Sequence, residues 1–468
     1  MALDRAVDVK VRIKPVLSRL VHHTAYEGPC RVGERSNLTP EADLASGEAA
    51  FNRFVAALEQ GLTRDAELLE PALLTWRDDF VITDETFAQV EKDVHLADVI
   101  VFQPAGLGQY VATGMAHRYG KPMVTLGQVG AVDIVAYLRA HGMEGWAVYD
   151  VEDLNRLLRW LYVRKALART RMLIVTNNNL LPLGVVSSIE DLAGLRDRFG
   201  IEHRVRSSDE LLDRMRHLPP EQAAEAETLT RELIEGAEQC DMTFDQLLPS
   251  VRFYVAARAM LEDYNCNAFT LPCFEICATT VMEQERVTFC LAHTLLKDEG
   301  IPSACEGDIN VLLSIALLTY LSGKSVHMGN TSVINRQDNI IAVHHDVPGL
   351  KMSGLDGERS PYGIKNFTVA GWGGTLRYDL SRHKGEPATI LRFNPDGDAF
   401  IAAVGEVVGC ESYMAVGCSL QYHIKLEDAD GFYRAMQSYG HHFALVLGDY
   451  GEELAELADV LDIYAEIW

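Results

Sequence analysis

Two carboxylates precede an apolar segment at a point of the chain where metal or acid–base chemistry could take place. Glu306 and Asp308 stand directly before residues 311–321, which are apolar nearly all round and predict a buried helix. A buried carboxylate needs a partner, because an unpaired charge is costly to bury. The partner of Glu306 could be a metal ion or a basic side chain. Asp308 could cap the helix or take part in catalysis.

Pairs of histidines follow, each at the end or the start of a predicted strand: His344 with His345, and His441 with His442. Two imidazoles, a carboxylate and a side-chain oxygen, such as that of Asn330, make a mixed site that suits Mn²⁺, Co²⁺, Fe²⁺ or Zn²⁺. Neighbouring residues of an extended strand face opposite ways. One histidine of each pair could therefore bind the ion while the other packs or holds a substrate.

Composition limits the class of protein. The chain has 468 residues, enough for about two to four domains, and its net charge of −25 argues against a nucleic-acid partner. A transmembrane helix needs about 18 consecutive apolar residues, and no apolar run in the sequence is that long. Residues 1–20 lack the apolar region of a secretion signal. We therefore expect a cytoplasmic enzyme without nucleic-acid or membrane partners.

The nine cysteines are scattered and do not have the spacing of a structural zinc site. In a long chain without a secretion signal, buried free thiols are the expected state. Cys305, beside Glu306, is a weak candidate for a soft ligand or a nucleophile, because no positive group flanks it to favour the thiolate.

Strands and helices alternate over the first two thirds of the chain. A strand at residues 97–102, a helix and a second strand at residues 121–126 predict a βαβ unit, and the alternation restarts near residue 166. Ligands of such sheets meet the loops at the carboxyl ends of the strands. Gln109 and His117 lie near such an end and could contact a substrate or only face solvent. No glycine-rich nucleotide signature follows any of these strands.

Beyond residue 330 the pattern changes. Short strands are separated by Gly, Pro, Asn and Asp, which predicts an antiparallel sheet or a small barrel. The predicted fold class is therefore α/β, with two N-terminal doubly wound, Rossmann-like α/β domains followed by a β-rich C-terminal domain. The predicted boundaries are residues 1–165, 166–330 and 331–468.

The order and spacing of these segments resemble the L-fucose isomerase and L-arabinose isomerase superfamily over the whole length of the chain. The resemblance rests on Cys305 to Asp308, the helix that ends before Gly323, Met328 to Asn330, the strand that ends in His344 and His345, and Gly440 to His442 with residues 445–449. It implies interconversion of an aldose and a ketose through an enediol. It also implies a divalent metal, with Mn²⁺ as the preferred ion, and a homotrimer or homohexamer.

The resemblance also implies roles for individual residues. Glu306 becomes a metal ligand and one member of the acid–base pair. His442 becomes a second ligand, with His441 beside it as a substrate contact. A further ligand falls on His344 or His345, and His344 is favoured by its spacing along the chain.

The sequence departs from the family at one functional position. Asn330 stands where the family has its second acid and is a third catalytic candidate beside Glu306 and Asp308. The amide oxygen of Asn330 could bind a metal, but an amide cannot act as a base. Asp308, Asp338 or Glu275 could complete the acid–base pair. The departure raises an alternative, an isomerase or epimerase for a deoxy, acidic or sulfonated sugar that uses a different base. An alternative from another class is a non-catalytic sugar-binding protein on the same fold.

Further side chains are candidate contacts of the sugar. Trp372, in the loop at residues 369–375, could stack on a sugar face or pack against the core. In an oligomer with sites near the subunit contacts, Gln109 and His117 could reach the site of a neighbouring subunit. The sequence assigns neither the sugar nor the number of subunits.

Overall fold

The computed structural model describes residues 3–28, 31–105, 107–127, 129–179, 182–277 and 279–468. The chain separates into a smaller unit, residues 9–162, and a larger unit, residues 3–8 with 163–468. The change of unit falls inside the helix Val151–Ala168. The predicted domain boundaries at residues 165 and 330 stay predictions.

The smaller unit is built on a parallel sheet. Its strands are β1 (Val11–Val21), β2 (Ala66–Leu68), β3 (Ala72–Arg77), β4 (Val99–Ala105), β5 (Met123–Leu126) and β6 (Gly145–Val148). They pair in parallel in the order β2-β1-β4-β5-β6, and β3 pairs with the second half of β1. The helices are α1 (Pro40–Gly61), α2 (Asp84–Glu91), α3 (Gln109–Tyr119), α4 (Val129–Ala140) and the start of α5 (Val151–Ala168). This is the arrangement that the alternating pattern predicts.

The larger unit begins with a second parallel sheet in the order β11-β10-β7-β8. The strands of this region are β7 (Arg171–Val175), β8 (Glu202–Arg206), β9 (Gln239–Cys240), β10 (Ala268–Thr270) and β11 (Ser303–Ala304). Its helices are α6 (Leu192–Phe199), α7 (Ser208–Arg216), α8 (Pro220–Gly236), α9 (Phe244–Asp263), α10 (Cys273–Cys277), α11 (Val281–Glu285), α12 (Cys290–Asp298) and α13 (Ile309–Ser322). Strands such as β7 are apolar on both faces because helices cover both sides of a parallel sheet.

Residues 327–467 are rich in strands. The strands are β12 (His327–Asn335), β13 (Ile340–His344), β14 (Tyr362–Asn366), β15 (Gly374–Tyr378), β16 (Pro387–Phe393), β17 (Ala399–Glu411), β18 (Gln421–Lys425), β19 (His442–Leu447) and β20 (Tyr464–Ile467), with helices α14 (Ala429–Ala435) and α15 (Gly451–Leu461). The order β16-β19-β12-β13-β18-β17 is antiparallel throughout, and β16 also pairs with β17, so these strands close into a barrel. β20 joins β17 in parallel, and β14 pairs with β15 and β9.

Helix α13 connects the second parallel sheet to the barrel. Every residue from Ile309 to Leu321 is buried, as the apolar pattern predicts. Asp308 accepts a hydrogen bond from the backbone N–H of Val311 and so caps the helix, and Gly323 ends it with a φ of 65°. The helix therefore holds the segment before it, residues 305–308, against the barrel strands β16 and β19.

The predicted mixed α/β class, with parallel sheets and a β-rich C-terminal region, is confirmed. Among the residues that the structure describes, no helix is both long and apolar enough to cross a bilayer.

Candidate metal centre

Side chains from distant parts of the chain meet in the larger unit and form a group that could hold a metal ion. They are Glu306, His345 and His442, whose ligand atoms all lie within 4.8 Å of one another. Oε1 of Glu306 lies 3.1 Å from Nε2 of His345, and Oε2 of Glu306 lies 3.5 Å from Nε2 of His442. All of these side chains are buried. We refer to them as the Glu–His–His cluster.

Glu306 lies in the turn between β11 and α13, at the carboxyl end of a parallel strand, where ligands of such sheets bind. Its φ is 61° and that of Gly307 is 67°, so two consecutive residues have left-handed backbone. For a non-glycine residue this conformation costs about 1–3 kcal/mol. Gly184 packs against the turn, and a Cβ at Gly184 would lie 1.5 Å from the carbonyl oxygen of Glu306. This close packing leaves no room for a side chain at residue 184 and supports the backbone of the turn.

The barrel strands place the predicted histidine pairs side by side. His442, the first residue of β19, lies directly opposite Asn330 on β12, and Asn330 lies opposite His344 on β13. Directly opposed residues of antiparallel strands point to the same face of the sheet. Nε2 of His344 accordingly lies 3.4 Å from Nδ2 of Asn330.

The second histidine of the first pair faces the carboxylate. β13 ends at His344, and His345 turns out of the strand into a buried position beside Glu306. His344, which spacing favours as the ligand, is half-buried beside Asn330 instead. A ligand role for either histidine stays a prediction.

Asp308 fixes the imidazole of His442. Its Oδ2 lies 2.9 Å from Nδ1 of His442 and accepts a hydrogen bond from Arg392 at 2.8 Å, and both Asp308 and Arg392 are fully buried. Burial acts to raise the pKa of Asp308, but Arg392 and His442 outweigh it and hold this pKa well below its usual range. An ionised carboxylate only accepts hydrogen bonds, so Nδ1 of His442 carries a hydrogen, and Nε2 is the ring nitrogen that can bind an ion.

A second fully buried pair, Asp346 with Arg377, holds the loop between β17 and β18. Oδ2 of Asp346 lies 2.5 Å from the guanidinium of Arg377, and Oδ1 accepts from the backbone N–H groups of Ser419 and Leu420. Arg377 also donates to carbonyl oxygens of residues 412–417. The loop is therefore tied down on both sides of residue 418.

Cys418 in this loop reaches the imidazole of His345. Its Sγ lies 3.3 Å from Nδ1 of His345, and the backbone N–H of His345 donates to the carbonyl oxygen of Leu420 at 3.1 Å. Both histidines of the cluster thus direct Nε2 towards Glu306, while another side chain contacts Nδ1.

The charges in the cluster favour an ionised carboxylate and a protonated imidazole. Burial acts to raise the pKa of Glu306, but the hydrogen bond from His345 and the nearby charges of His345 and His442 outweigh it and lower this pKa. Burial acts to lower the pKa of His345, but Cys418 and Glu306 outweigh it and raise this pKa to about 10. A metal ion bound here would have to displace the Nε2 proton of His345.

The cluster fits a divalent transition metal. Nε2 of His442 is buried and has no hydrogen-bond partner within the described residues, and an unpaired buried nitrogen is rare unless another group satisfies it. Two imidazole nitrogens and a carboxylate are donors that Mn²⁺, Co²⁺, Fe²⁺ and Zn²⁺ accept. A site that could bind the predicted metal is therefore present, and the choice of Mn²⁺ stays a prediction.

The acids that could complete the acid–base pair all have other partners. Asp338 is exposed and accepts a hydrogen bond within the turn between β12 and β13. Glu275 accepts from the hydroxyl groups of Thr176 and Ser208 and from the backbone N–H of Asn177. The carboxylate of Asp308 is occupied by the contacts described above. A catalytic role for any of them stays a prediction.

The remaining predicted contacts are dispersed. Gln109 begins α3 and His117 lies in its last turn, both in the smaller unit, where His117 lies 2.9 Å from a tyrosine hydroxyl of α4. His441 is exposed, and its ring centre lies 4.3 Å from that of His442. Trp372 is half-buried and packs against the hydrophobic core of the larger unit. Contact of these residues with a substrate stays a prediction.

The smaller unit has a cavity of its own. Its volume is about 550 Å³, and its lining includes Arg19, His22, His23, Asp43 and Asp78. Asp43 lies 3.0 Å from Nδ1 of His22, and Asp78 lies 2.6 Å from Nδ1 of His23. The cavity adjoins the end of β1, where parallel sheets bind ligands.

The sequence analysis missed Arg392, Arg377 and Cys418. Each arginine is fully buried inside a strand, Arg392 in β16 and Arg377 in β15. A single charge within an apolar strand is a signal that could have found both, because a buried arginine needs a buried acid. No comparable signal marks Cys418.

Comparison with known proteins points to sugar isomerases. No family model matches the chain. Sulfoquinovose isomerases of Priestia aryabhattai and Priestia megaterium are 22% identical to it over 319 residues, which cover 67% of this chain and 68% of each relative. A sulfoquinovose isomerase of Alkalicoccus urumqiensis is 22% identical over 291 residues, 60% of this chain and 62% of the relative. These names point to an aldose–ketose isomerase, which confirms the predicted enzyme class.

Proposed function

We propose that this chain is a metal-dependent isomerase that interconverts the aldose and ketose forms of a sulfonated sugar. The observation that carries the proposal is the convergence of Glu306, His345 and His442, from separate segments of the chain, on one buried point. The names of the relatives support both the reaction and the class of substrate. The proposal includes membership of the L-fucose and L-arabinose isomerase superfamily.

The substrate class comes from the relatives rather than from the site. Sulfoquinovose is glucose with a sulfonate in place of the 6-hydroxyl group, so it is a modified, acidic hexose. Asn330, in place of the family's second acid, raises the same alternative from the sequence. We therefore extend the substrate named for the relatives to this chain as a proposal and prefer it to an unmodified aldose.

Each side chain of the Glu–His–His cluster has its own role in this proposal. A divalent metal held by the cluster would polarise O1 and O2 of the open-chain sugar and stabilise the negative charge that develops there. Glu306, whose pKa is lowered, would bind as a carboxylate. His442 would offer Nε2, since Asp308 keeps the hydrogen on Nδ1. His345 would offer Nε2 after losing its proton to solvent.

The reaction moves one proton between C2 and C1 of the sugar and a second proton between O2 and O1. We assign the transfer between the carbon atoms to Glu306, the carboxylate of the cluster. Its lowered pKa makes it a weak base, so the transfer depends on the acidity that the C2–H bond gains next to a polarised carbonyl group. Asn330 and His344, side by side on the barrel wall, would hydrogen-bond the hydroxyl groups of the sugar.

Incubation of the Mn²⁺-loaded protein with sulfoquinovose in D₂O tests the proposal. We expect NMR to show a ketose product and deuterium at the carbon that exchanges its proton through the enediol. Glucose, L-fucose and L-arabinose serve as comparison substrates and are expected to react more slowly. Glu306→Gln should abolish turnover, because it removes a ligand and the proton carrier. Glu358→Gln, an exposed position in the same unit, is the matched control.

Each outcome of this experiment decides a different part of the proposal. Turnover of unmodified sugars alone would keep the isomerase and reject the sulfonated substrate. Binding of sugar in calorimetry without any product would favour the non-catalytic alternative. Full activity of Glu306→Gln would refute the role of Glu306.

A further inference from the structure

Cys418 stands in the same relation to His345 as Asp308 does to His442. In both cases Nε2 of the histidine faces Glu306 and Nδ1 meets another side chain, at 3.3 Å for the sulfur and 2.9 Å for the carboxylate. Metal-binding histidines commonly have the second ring nitrogen held in this way, which sets the ring orientation and the tautomer. We propose that Cys418 is a positioning residue that accepts a hydrogen bond from Nδ1–H of His345 and holds Nε2 towards the metal.

The position of Cys418 is built into the fold. The backbone N–H groups of the next two residues, Ser419 and Leu420, both donate to the carboxylate of Asp346. The carbonyl oxygen of Gly417 accepts from Arg377 at 2.9 Å. Residues on both sides of Cys418 are therefore anchored to the buried Asp346–Arg377 pair, and Asp346 follows His345 directly in the chain. The backbone at residue 418 therefore cannot move away from the imidazole without breaking these hydrogen bonds.

The hydrogen bond also selects which ring nitrogen can bind an ion. When the sulfur accepts from Nδ1–H, a neutral His345 has its lone pair on Nε2, the atom that lies 3.1 Å from Glu306. Without this acceptor the ring could turn or carry its hydrogen on Nε2, and that form cannot bind the metal. A serine hydroxyl could replace the sulfur as an acceptor, whereas alanine or valine could not.

Calorimetric titration with Mn²⁺ tests this proposal, which rests on the proposed metal site. We expect Cys418→Ala to weaken Mn²⁺ binding by about three- to tenfold once the measured affinities are corrected for the proton that His345 releases. This is less than the about 10–100-fold effect of removing a carboxylate partner, because sulfur is a weak acceptor. Cys418→Ser should bind within about twofold of the parent protein, since the acceptor is restored. Cys240→Ala, a half-buried free thiol on β9, is the control and should not change the affinity.

The possible results separate this inference from the proposed function. If the parent protein does not bind Mn²⁺, the metal site itself is wrong and this inference falls with it. If the parent binds and Cys418→Ala binds equally well, only the role of Cys418 is overturned. Equal weakening by serine and alanine would show that volume matters rather than the hydrogen bond, and would also overturn it. If the alanine variant does not fold, Cys418→Val, which fills similar space without an acceptor, replaces it and should bind as weakly.

Discussion

The Asp308–Arg392 pair and the Asp346–Arg377 pair flank the candidate metal centre and differ in how they reach it. Both pairs are fully buried. The carboxylate of Asp308 touches the imidazole of His442 directly. The carboxylate of Asp346 instead holds a loop, and the loop brings a thiol to the imidazole of the neighbouring histidine.

The difference separates two ways of positioning a ligand. At His442 one charged group caps α13, pairs with an arginine and orients the imidazole, so folding and the proposed metal binding would depend on the same carboxylate. At His345 the ion pair supports the backbone, and a separate side chain, that of Cys418, meets the ring. Changes at the first pair should therefore affect stability and metal affinity together, and changes at the second pair should affect them separately.

The largest expected effect is on folding, when either arginine is removed. Arg392→Met and Arg377→Met each leave a buried carboxylate without its partner, and each should lower the free energy of unfolding by about 3–5 kcal/mol. Urea denaturation measures this change. Arg336→Met, which removes an exposed ion pair with Asp430, is the control and should leave the denaturation midpoint unchanged. A small effect at either buried arginine would show that its pair is not a structural support.

The next effect distinguishes the two aspartates by metal affinity. Asp308→Asn should weaken Mn²⁺ binding by about 10–100-fold, because the amide no longer fixes the hydrogen on Nδ1 of His442. Asp346→Asn should change the affinity by less than about threefold, because its side chain does not touch an imidazole. Calorimetry measures both, with Asp338→Asn, exposed in a hairpin turn, as the control. Equal losses of Mn²⁺ affinity in the two variants would show that Asp308 and Asp346 do not differ in how they position the histidines.

The last effect is a pH dependence assigned to one histidine. The pKa of His345 is raised to about 10, so at neutral pH the metal-free protein has a proton on the nitrogen that must bind the ion. Apparent Mn²⁺ affinity should fall by about tenfold for each pH unit below that pKa, and binding near pH 8 should release about one proton. Calorimetry in buffers of different ionisation enthalpy counts the released protons. An affinity that does not change between pH 6 and 8 would contradict the raised pKa.

Local sequence patterns predict the elements that carry the site. Residues 311–321 are apolar on all sides, and this property alone predicts the buried helix α13 and its end at Gly323. The alternation of strands and helices predicts the parallel sheets in the same way. Asp308, weighed as a helix cap or a catalytic group, is observed as a cap, since the capping geometry depends only on the next few residues.

Features that depend on distant partners could not be predicted. β1 runs from Val11 to Val21 and contains Pro15, a residue that local patterns do not place inside a strand. β1 pairs with β2 before this proline and with β3 after it, so the missing N–H falls where the partner changes. The choice between His344 and His345 likewise depends on where β13 ends, which the surrounding barrel decides.

The left-handed backbone at Glu306 has a consequence for any attempt to raise the thermal stability of this protein. A glycine would adopt that conformation without steric strain. Position 306 would therefore be an early choice in any search that replaces strained residues to raise thermal stability. The same exchange would delete the carboxylate on which the proposed reaction depends. Thermal stability and catalytic turnover thus make opposite demands on residue 306. Substitutions that raise stability have to be sought elsewhere in the chain.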